Sequence, residues 1–274
     1  DSVCLLHALV KGGEFERVSV CYVDHGLHAQ SKQHAEFVAG QAEELGLRFR
    51  TERVDLQVVN AGKGVEDGAR RARYACLEHA RIESCADYIA VGHHRLDQLE
   101  TFLIRLSQGS GIRGLSGMEP IREHVIRPLL DVTKDELESY ASLHQLKWVQ
   151  DPTNRDNRFL RNSIRDSVVP AFDEALGPQW RDHLSRLMNE LKQRHLDDER
   201  SADIRAENVV TTREKGVTLP RACFVQFSKL EALLLIRRIL ETLVPSGTAR
   251  RVQVEAVYDL AMGSHSTTRQ NLGD

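Results

Sequence analysis

The chain has 274 residues, 41% hydrophobic and 28% charged, with a formal net charge of −3. That length exceeds one ordinary domain and suits a large domain plus a smaller one, and the charge balance argues for a soluble surface and against a uniformly basic nucleic-acid binder. No apolar run reaches the ~18 residues of a membrane span. The five cysteines, Cys4, Cys21, Cys76, Cys85 and Cys223, form no C-x-x-C pair and read as reduced core thiols of a cytoplasmic protein. No secretory signal is visible. The opening on Asp1 rather than Met, and the closing Leu272-Gly273-Asp274, lead us to expect a longer natural chain at both ends.

In chain order, residues 3–10 (VCLLHALV) predict an apolar helix, and 18–23 (VSVCYV) a buried strand ending at Asp24-His25-Gly26. Ala35, Val38, Ala42 and Leu45 mark one face of a helix over 31–45. A strand near 48–56, a helix near 65–82, a strand at 87–91 and a helix over 97–107 follow. Short strands alternating with helices mean βαβ units, hence an α/β fold on a parallel sheet. Ligands in such sheets bind at the carboxyl ends of strands, where Asp24-His25 and His93-His94 fall. A strand-like stretch near 125–130 precedes a helix from about Thr133 to Leu143, whose Thr133 and Glu136 form a capping box. Beyond Phe172 the character changes. Residues 179–200 predict a charged connecting helix with Trp180, Leu184, Leu187 and Leu191 as its apolar stripe, and 224–262 hold two more helices split by Pro245-Ser246-Gly247. The expected division is a catalytic domain over 1–172 and a mainly helical one over 173–274.

Five stretches carry groups suited to chemistry. Asp1-Ser2 stand ahead of a helix, whose start offers unpaired N–H groups to a phosphate, but both are ordinary N-cap residues and capping is the plain expectation. In 92–106 (GHHRLDQLETFLIRL), Asp97 and Glu100 share a helical face behind His93 and His94. Such a set can bind a metal, hold a cation or manage protons; alternatively it is a solvated first turn favoured by the helix dipole. The i, i+4 histidine pair of a zinc helix is lacking. In 107–118 (SQGSGIRGLSGM) four glycines allow sharp turns, without a Walker or Rossmann pattern; a plain connection is the default. Arg70 and Arg73 in 65–74 share a face that can reach a phosphate or stay a solvated basic face. In 151–165 (DPTNRDNRFLRNSIR), Arg155, Arg158, Arg161 and Arg165 recur every three or four residues around Phe159 and Asn162. That is a stripe suited to RNA phosphates and a stacked base, or a solvated charged helix.

Taken together and in order, VDHGLH, the run from Glu66 to Tyr74, the run from His94 to Phe102, GSG-x-x-GLSGM, IRPLL, and WVQDPTN followed by RNSIR resemble the tRNA(Ile)-lysidine synthetases of the PP-loop ATPase superfamily. The resemblance is close over 1 to about 172 and loose beyond. It implies an adenine-nucleotide α-hydrolase fold (PP-loop, Rossmann-like, with a parallel sheet) and a second, smaller helical domain. It further implies a ligase that adenylates the wobble cytidine of isoleucine tRNA with a CAU anticodon at its C2 oxygen, after which a lysine amine displaces AMP. ATP and magnesium are the implied cofactors, L-lysine and the tRNA the partners, without a membrane; a homodimer is left open. Asp1 and Ser2 match the last two positions of the family's S-G-G-x-D-S loop. With Asp24 and His25, and with Arg70 and Arg73 facing ATP phosphate or RNA, they form the implied ATP site. His94, Asp97 and Glu100 would hold magnesium (Asp97 foremost) or orient lysine. Arg158, Arg161, Asn162 and Arg165 would face the anticodon stem-loop. Two departures stand out: Leu96 where the family has a first aspartate, and Gln108 where it has arginine before GSG. The family's third domain, which reads the acceptor stem, is expected beyond Asp274. Two rivals remain: a tRNA-binding protein with a decayed site, which Leu96 and Gln108 favour, and a PP-loop tRNA thiolase, which would need C-x-x-C cysteines.

Overall fold

A computed structural model describes residues 1–13, 15, 17–24, 30–54, 65–149, 160–213, 216–220, 222–243 and 249–263. His25, Arg155, Arg158, Phe159 and the Pro245-Ser246-Gly247 break lie outside them. The chain divides into two compact units, Asp1–Arg186 and Leu187–Asp274.

In the first unit, helix α1 (Ser2–Gly12) stops at Gly13, whose φ of 66° is open to glycine without strain. Strand β1 (Ser19–Asp24) pairs in parallel with β2 (Arg48–Arg53) from Ser19 opposite Arg48 to Asp24 opposite Arg53, with α2 (Ser31–Glu44) as the crossover. Helix α3 (Val65–Glu83) leads to β3 (Ile89–Ala90), which pairs in parallel with β5 (Val125–Ile126). Strand β4 (Ile121–Arg122) lies antiparallel against β5, so the described strands of this unit form a parallel pair β1–β2, as expected, and a sheet β3–β5–β4 with one antiparallel member. Between β3 and β4 come α4 (Arg95–Ser107) and a one-turn α5 (Ile112–Leu115); the glycine-rich stretch expected to be a plain connection thus contains a helical turn. Helix α6 (Lys134–Leu143) begins at Thr133 with the expected capping box, the Thr133 side chain accepting from Glu136 N–H and the Glu136 side chain from Thr133 N–H.

Packing explains why these elements hold. Cys4 and Leu5 of α1 meet Leu137 and Ala141 of α6 and Leu129, with Leu9, Ala90 and Leu146 at the edge. Each such buried leucine contributes ~1.5–3 kcal/mol over exposure, and the cluster ties α1 to the end of β3. Cys4 is a core thiol as expected, whereas Cys85 is exposed, at φ 50° in the turn after α3, because the helix ends there. The unit closes with α7 (Leu160–Ser163), a π-helical turn over Ile164–Val168, α8 (Val169–Leu176) and the start of α9 (Trp180–Val209). The connecting helix therefore runs further than expected.

The second unit holds the rest of α9, a hairpin of β6 (Thr211–Arg213) and β7 (Gly216–Thr218), and helices α10 (Ala222–Gln226), α11 (Lys229–Leu243) and α12 (Arg251–Met262). The hairpin is not foreseen from the sequence; the two long helices are. Their core is Phe224, Ala232, Ile236, Leu240 and Val254. No helix of the described residues is long and apolar enough to cross a membrane.

Candidate active site

The site grows from the carboxyl end of β3. A Cβ on Gly92 would stand 3.2 Å from Ser2 N and 3.3 Å from the Asp1 carbonyl carbon. Those neighbours are backbone, so a glycine here lets the strand end press against the start of α1. Two residues on, His94 caps α4 in extended conformation; its Nδ1 accepts from Leu96 N–H at 3.2 Å. That bond leaves the ring hydrogen on Nε2, which faces Asp1 Oδ2 at 3.5 Å and Asp97 Oδ2 at 3.8 Å. Burial lowers the His94 pKa; Asp97 opposes the shift, and Lys134 and Arg165 add to it.

Asp1 is not the cap that local rules suggest. Its side chain makes no capping bond and instead accepts from Lys134 Nζ at 2.8 Å through Oδ1, while Oδ2 faces His94. A long-range cation thus outcompetes the local N–H groups, joining the starts of α1, α4 and α6.

Asp97 and Glu100 do share a face, but not a solvated one. Glu100 is 0% exposed. Its Oε1 accepts from Arg165 Nε at 2.6 Å, and Asp97 Oδ1 accepts from a terminal nitrogen of Arg165 at 3.2 Å while Oδ2 accepts from His94 N–H at 2.9 Å. Arg161 donates to Thr101 Oγ1 at 3.2 Å, with its Nε 3.6 Å from Glu100 Oε2. Burial pushes the Glu100 carboxyl above the ordinary carboxylate range against the pull of Arg165. The arginine stripe expected on RNA therefore has two members turned inward onto the acids, and Asn162 between them is buried.

A second group surrounds His93. Burial pushes its pKa down to about 4, Asp97 opposes the shift, and Arg70, Arg127 and Arg161 add to it; Nδ1 is buried without a hydrogen-bond partner. The ring is neutral among cations. Arg70 lies 5.0 Å from the Tyr74 ring centroid, and burial followed by Arg161, Arg127 and Arg73 lowers its pKa. Arg73 acts also on Cys21, so it stands towards β1 as well. Asp24 ends β1, its carbonyl accepting Val54 N–H at 2.9 Å. Asp1, His94, Asp97, Glu100, Arg161 and Arg165 are thus linked by contacts, Arg70 neighbours them, and Ser2 adjoins Gly92.

Sequence reasoning missed four contributors. Lys134 holds Asp1. Arg127, of the IRPLL run, is buried and donates to Glu119 O at 2.8 Å. Arg105 donates to Gly114 O and Gly117 O at 2.6 and 2.9 Å, and Gln98 exchanges two bonds with the Met118 backbone. Together Gln98 and Arg105 clamp the glycine-rich stretch to α4. Both lie in the 92–106 stretch, Gln98 inside the His94–Phe102 run, on the helix face that leads into the glycines. Gln108, one of the two departures, caps the carboxyl end of α4 with an exposed side chain; Leu96 supplies the N–H that orients His94.

Asp97, the expected magnesium ligand, is held by the chain itself. Both Asp97 oxygens are engaged, and among the described residues no group of three His, Cys, Asp or Glu side chains could hold a metal ion.

The chain is 41% identical over 177 residues to a tRNA(Ile)-lysidine synthase of Pseudomonas fluorescens (strain Pf0-1), covering 62% of this chain and 39% of that protein. It is 35% identical over 261 residues to one from Burkholderia mallei, covering 92% and 52%, and 36% identical over 276 residues to one from Symbiobacterium thermophilum, covering 94% and 56%. The chain thus spans roughly two-fifths to just over half of these curated relatives. Among solved structures, the U34-tRNA thiolase NcsA from Methanococcus maripaludis with its [4Fe-4S] cluster shares the fold, with a TM-score of 0.56 at 16% identity over 69% of this chain and 68% of that one. A family model for a PP-loop domain matches residues 1–172, well over half of the sequence, and the chain belongs to that family.

Proposed function

We propose that the protein of which this chain is part ligates lysine to C2 of the wobble cytidine in isoleucine tRNA with a CAU anticodon, using ATP. In the first step the cytidine O2 attacks the α-phosphorus of ATP, forming an O–P bond and releasing pyrophosphate. In the second a lysine amine attacks C2, the C2–O bond breaks, and AMP leaves with that oxygen. The amine loses a proton on the way, so the site needs an acceptor beside an anionic cradle for an ammonium.

One observation supports this reading most: an acid pair, Asp97 and Glu100, is joined through His94 to Asp1 at the start of α1, which carries no side-chain cap and so leaves N–H groups for a phosphate, in a PP-loop chain whose relatives are tRNA(Ile)-lysidine synthases. In this reading Asp1, Ser2, Asp24, His25, Arg70 and Arg73 serve ATP. Asp97 and Glu100 hold the amine, and Glu100, made more basic by burial, accepts its proton. His94, its Nδ1 tied to Leu96 N–H, orients Asp97 and Asp1 rather than acting as the base. Arg158, Arg161, Asn162 and Arg165 serve the anticodon stem-loop. Magnesium would arrive with the ATP phosphates. The setting is cytoplasmic.

The test is to incubate the full-length protein with ATP, radiolabelled L-lysine and a transcript of that tRNA. Label entering RNA with one pyrophosphate per lysine is the expected result. Pyrophosphate release without lysine transfer, or no tRNA-dependent turnover, would overturn the reading.

A further inference from the structure

The acids read above as an amine site are already neutralised by the chain's own cations. Arg165 Nε donates to Glu100 Oε1 at 2.6 Å, but the other half of the arrangement is a poor fit. Arg161 Nε stands 3.6 Å from Glu100 Oε2, and both atoms are buried without a hydrogen-bond partner. The arginine side chains are 26% (Arg161) and 31% (Arg165) exposed above a carboxylate that is 0% exposed. They stand on a segment that changes from α-helix at Leu160–Ser163 to a π-helical turn at Ile164–Val168, a local irregularity frequent at functional sites.

We propose that Arg161 and Arg165 fill the cation subsite that Asp97 and Glu100 would offer to a substrate ammonium, and that RNA phosphates open it by drawing these guanidiniums away. The inference rests on the reading of the acids as an amine site and adds an order of binding to it. Two carboxylates and two guanidiniums balance; a further ammonium would leave a buried excess charge, which is costly. A phosphate diester matches the guanidinium fork in two-point geometry and keeps the arginines paired after they leave the acids. RNA and amine then both bind the arginine-out state, so each strengthens the other by the same factor.

The experiment uses the full-length protein with L-lysine, an RNA stem-loop bearing a CAU loop, and carbodiimide with glycine ethyl ester as a probe of Glu100, mapped by mass spectrometry. Lysine is expected to bind ~10-fold more tightly with the RNA than without it, within the usual 5–150-fold range of coupling. In Arg165→Met, Glu100 becomes labelled and lysine binds tightly without RNA. Arg165→Lys, which retains a cation, stays closed. If Arg165→Met does not fold, Arg161→Gln, which loses the looser contact, shows an intermediate rise in both readouts. Unchanged labelling in the folded variants, or RNA-independent lysine affinity in the unmodified protein, overturns the proposal. Labelling that opens as expected while lysine binds in no form supports the subsite and removes lysine as its ligand.

Discussion

Arg165 with Glu100 in the first unit and Arg238 with Asp203 in the second are the same kind of bond, 2.6 and 2.5 Å long, in opposite settings. The second pair is 49% and 45% exposed, bathed in water that competes for both charges. The Glu100 carboxylate of the first has no exposure. A bond of given length thus means different things: at the surface it is nearly neutral in energy, and in the interior it is what makes a buried charge tolerable. The first unit spends its buried polar contacts where chemistry is proposed, whereas the second closes over an apolar core.

Removing one partner from each pair should separate these settings most sharply. Arg165→Met leaves Glu100 with only the looser Arg161 contact and should cost ~3–5 kcal/mol in denaturant unfolding at neutral pH. Without the pull of Arg165, the carboxyl has a folded pKa further above its unfolded value. The stability it permits is therefore present below the unfolded pKa and lost as pH rises, so the deficit should be smaller at pH 5 than at pH 8. A pH-independent deficit would contradict the burial argument.

The neutral His93 predicts a smaller effect of opposite sign. Its folded pKa of about 4 lies below the unfolded value, so its contribution is present above pH ~6.5 and lost as pH falls towards 4. The amount is on the order of 2 kcal/mol. The difference in stability between the unmodified protein and His93→Gln, followed from pH 7.5 to 4.5, should narrow by that amount; a constant difference would place His93 in contact with water. The smallest effect belongs to the surface pair: Arg238→Ala should shift stability by less than ~1 kcal/mol, and this shift should vanish in high salt. A larger loss would mean that the pair is shielded from solvent.

Legibility from sequence follows the range of the interaction. The capping box at Thr133 and Glu136 is local, three residues wide, and was readable. So were α1, α2 and α3 as helices and β1 as a strand, although β1, expected to be buried, is only half-buried along its length. Asp1 shows the limit: its local rule is capping, but Lys134, remote in sequence, takes the carboxylate. Asp97 and Glu100 obeyed their spacing, yet their burial depends on Arg161 and Arg165 from another helix. The spacing of those arginines suggested a solvated or RNA-facing stripe; no local pattern says that an inward carboxylate waits for them. The β6–β7 hairpin was missed although Thr211, Thr212, Val217 and Thr218 are β-branched, because strands of three residues barely register as a period.

The account depends most on Glu100 as the group that holds the amine and takes its proton. Glu100→Gln keeps the shape and removes the charge. In the full-length enzyme, incorporation of radiolabelled lysine into the isoleucine tRNA should fall by ~10²-fold or more, as for other positioned acid–base groups, while ATP-dependent pyrophosphate release persists. Near-normal lysine incorporation by a variant with unchanged circular dichroism would contradict the assignment and leave Glu100 a structural partner of Arg165.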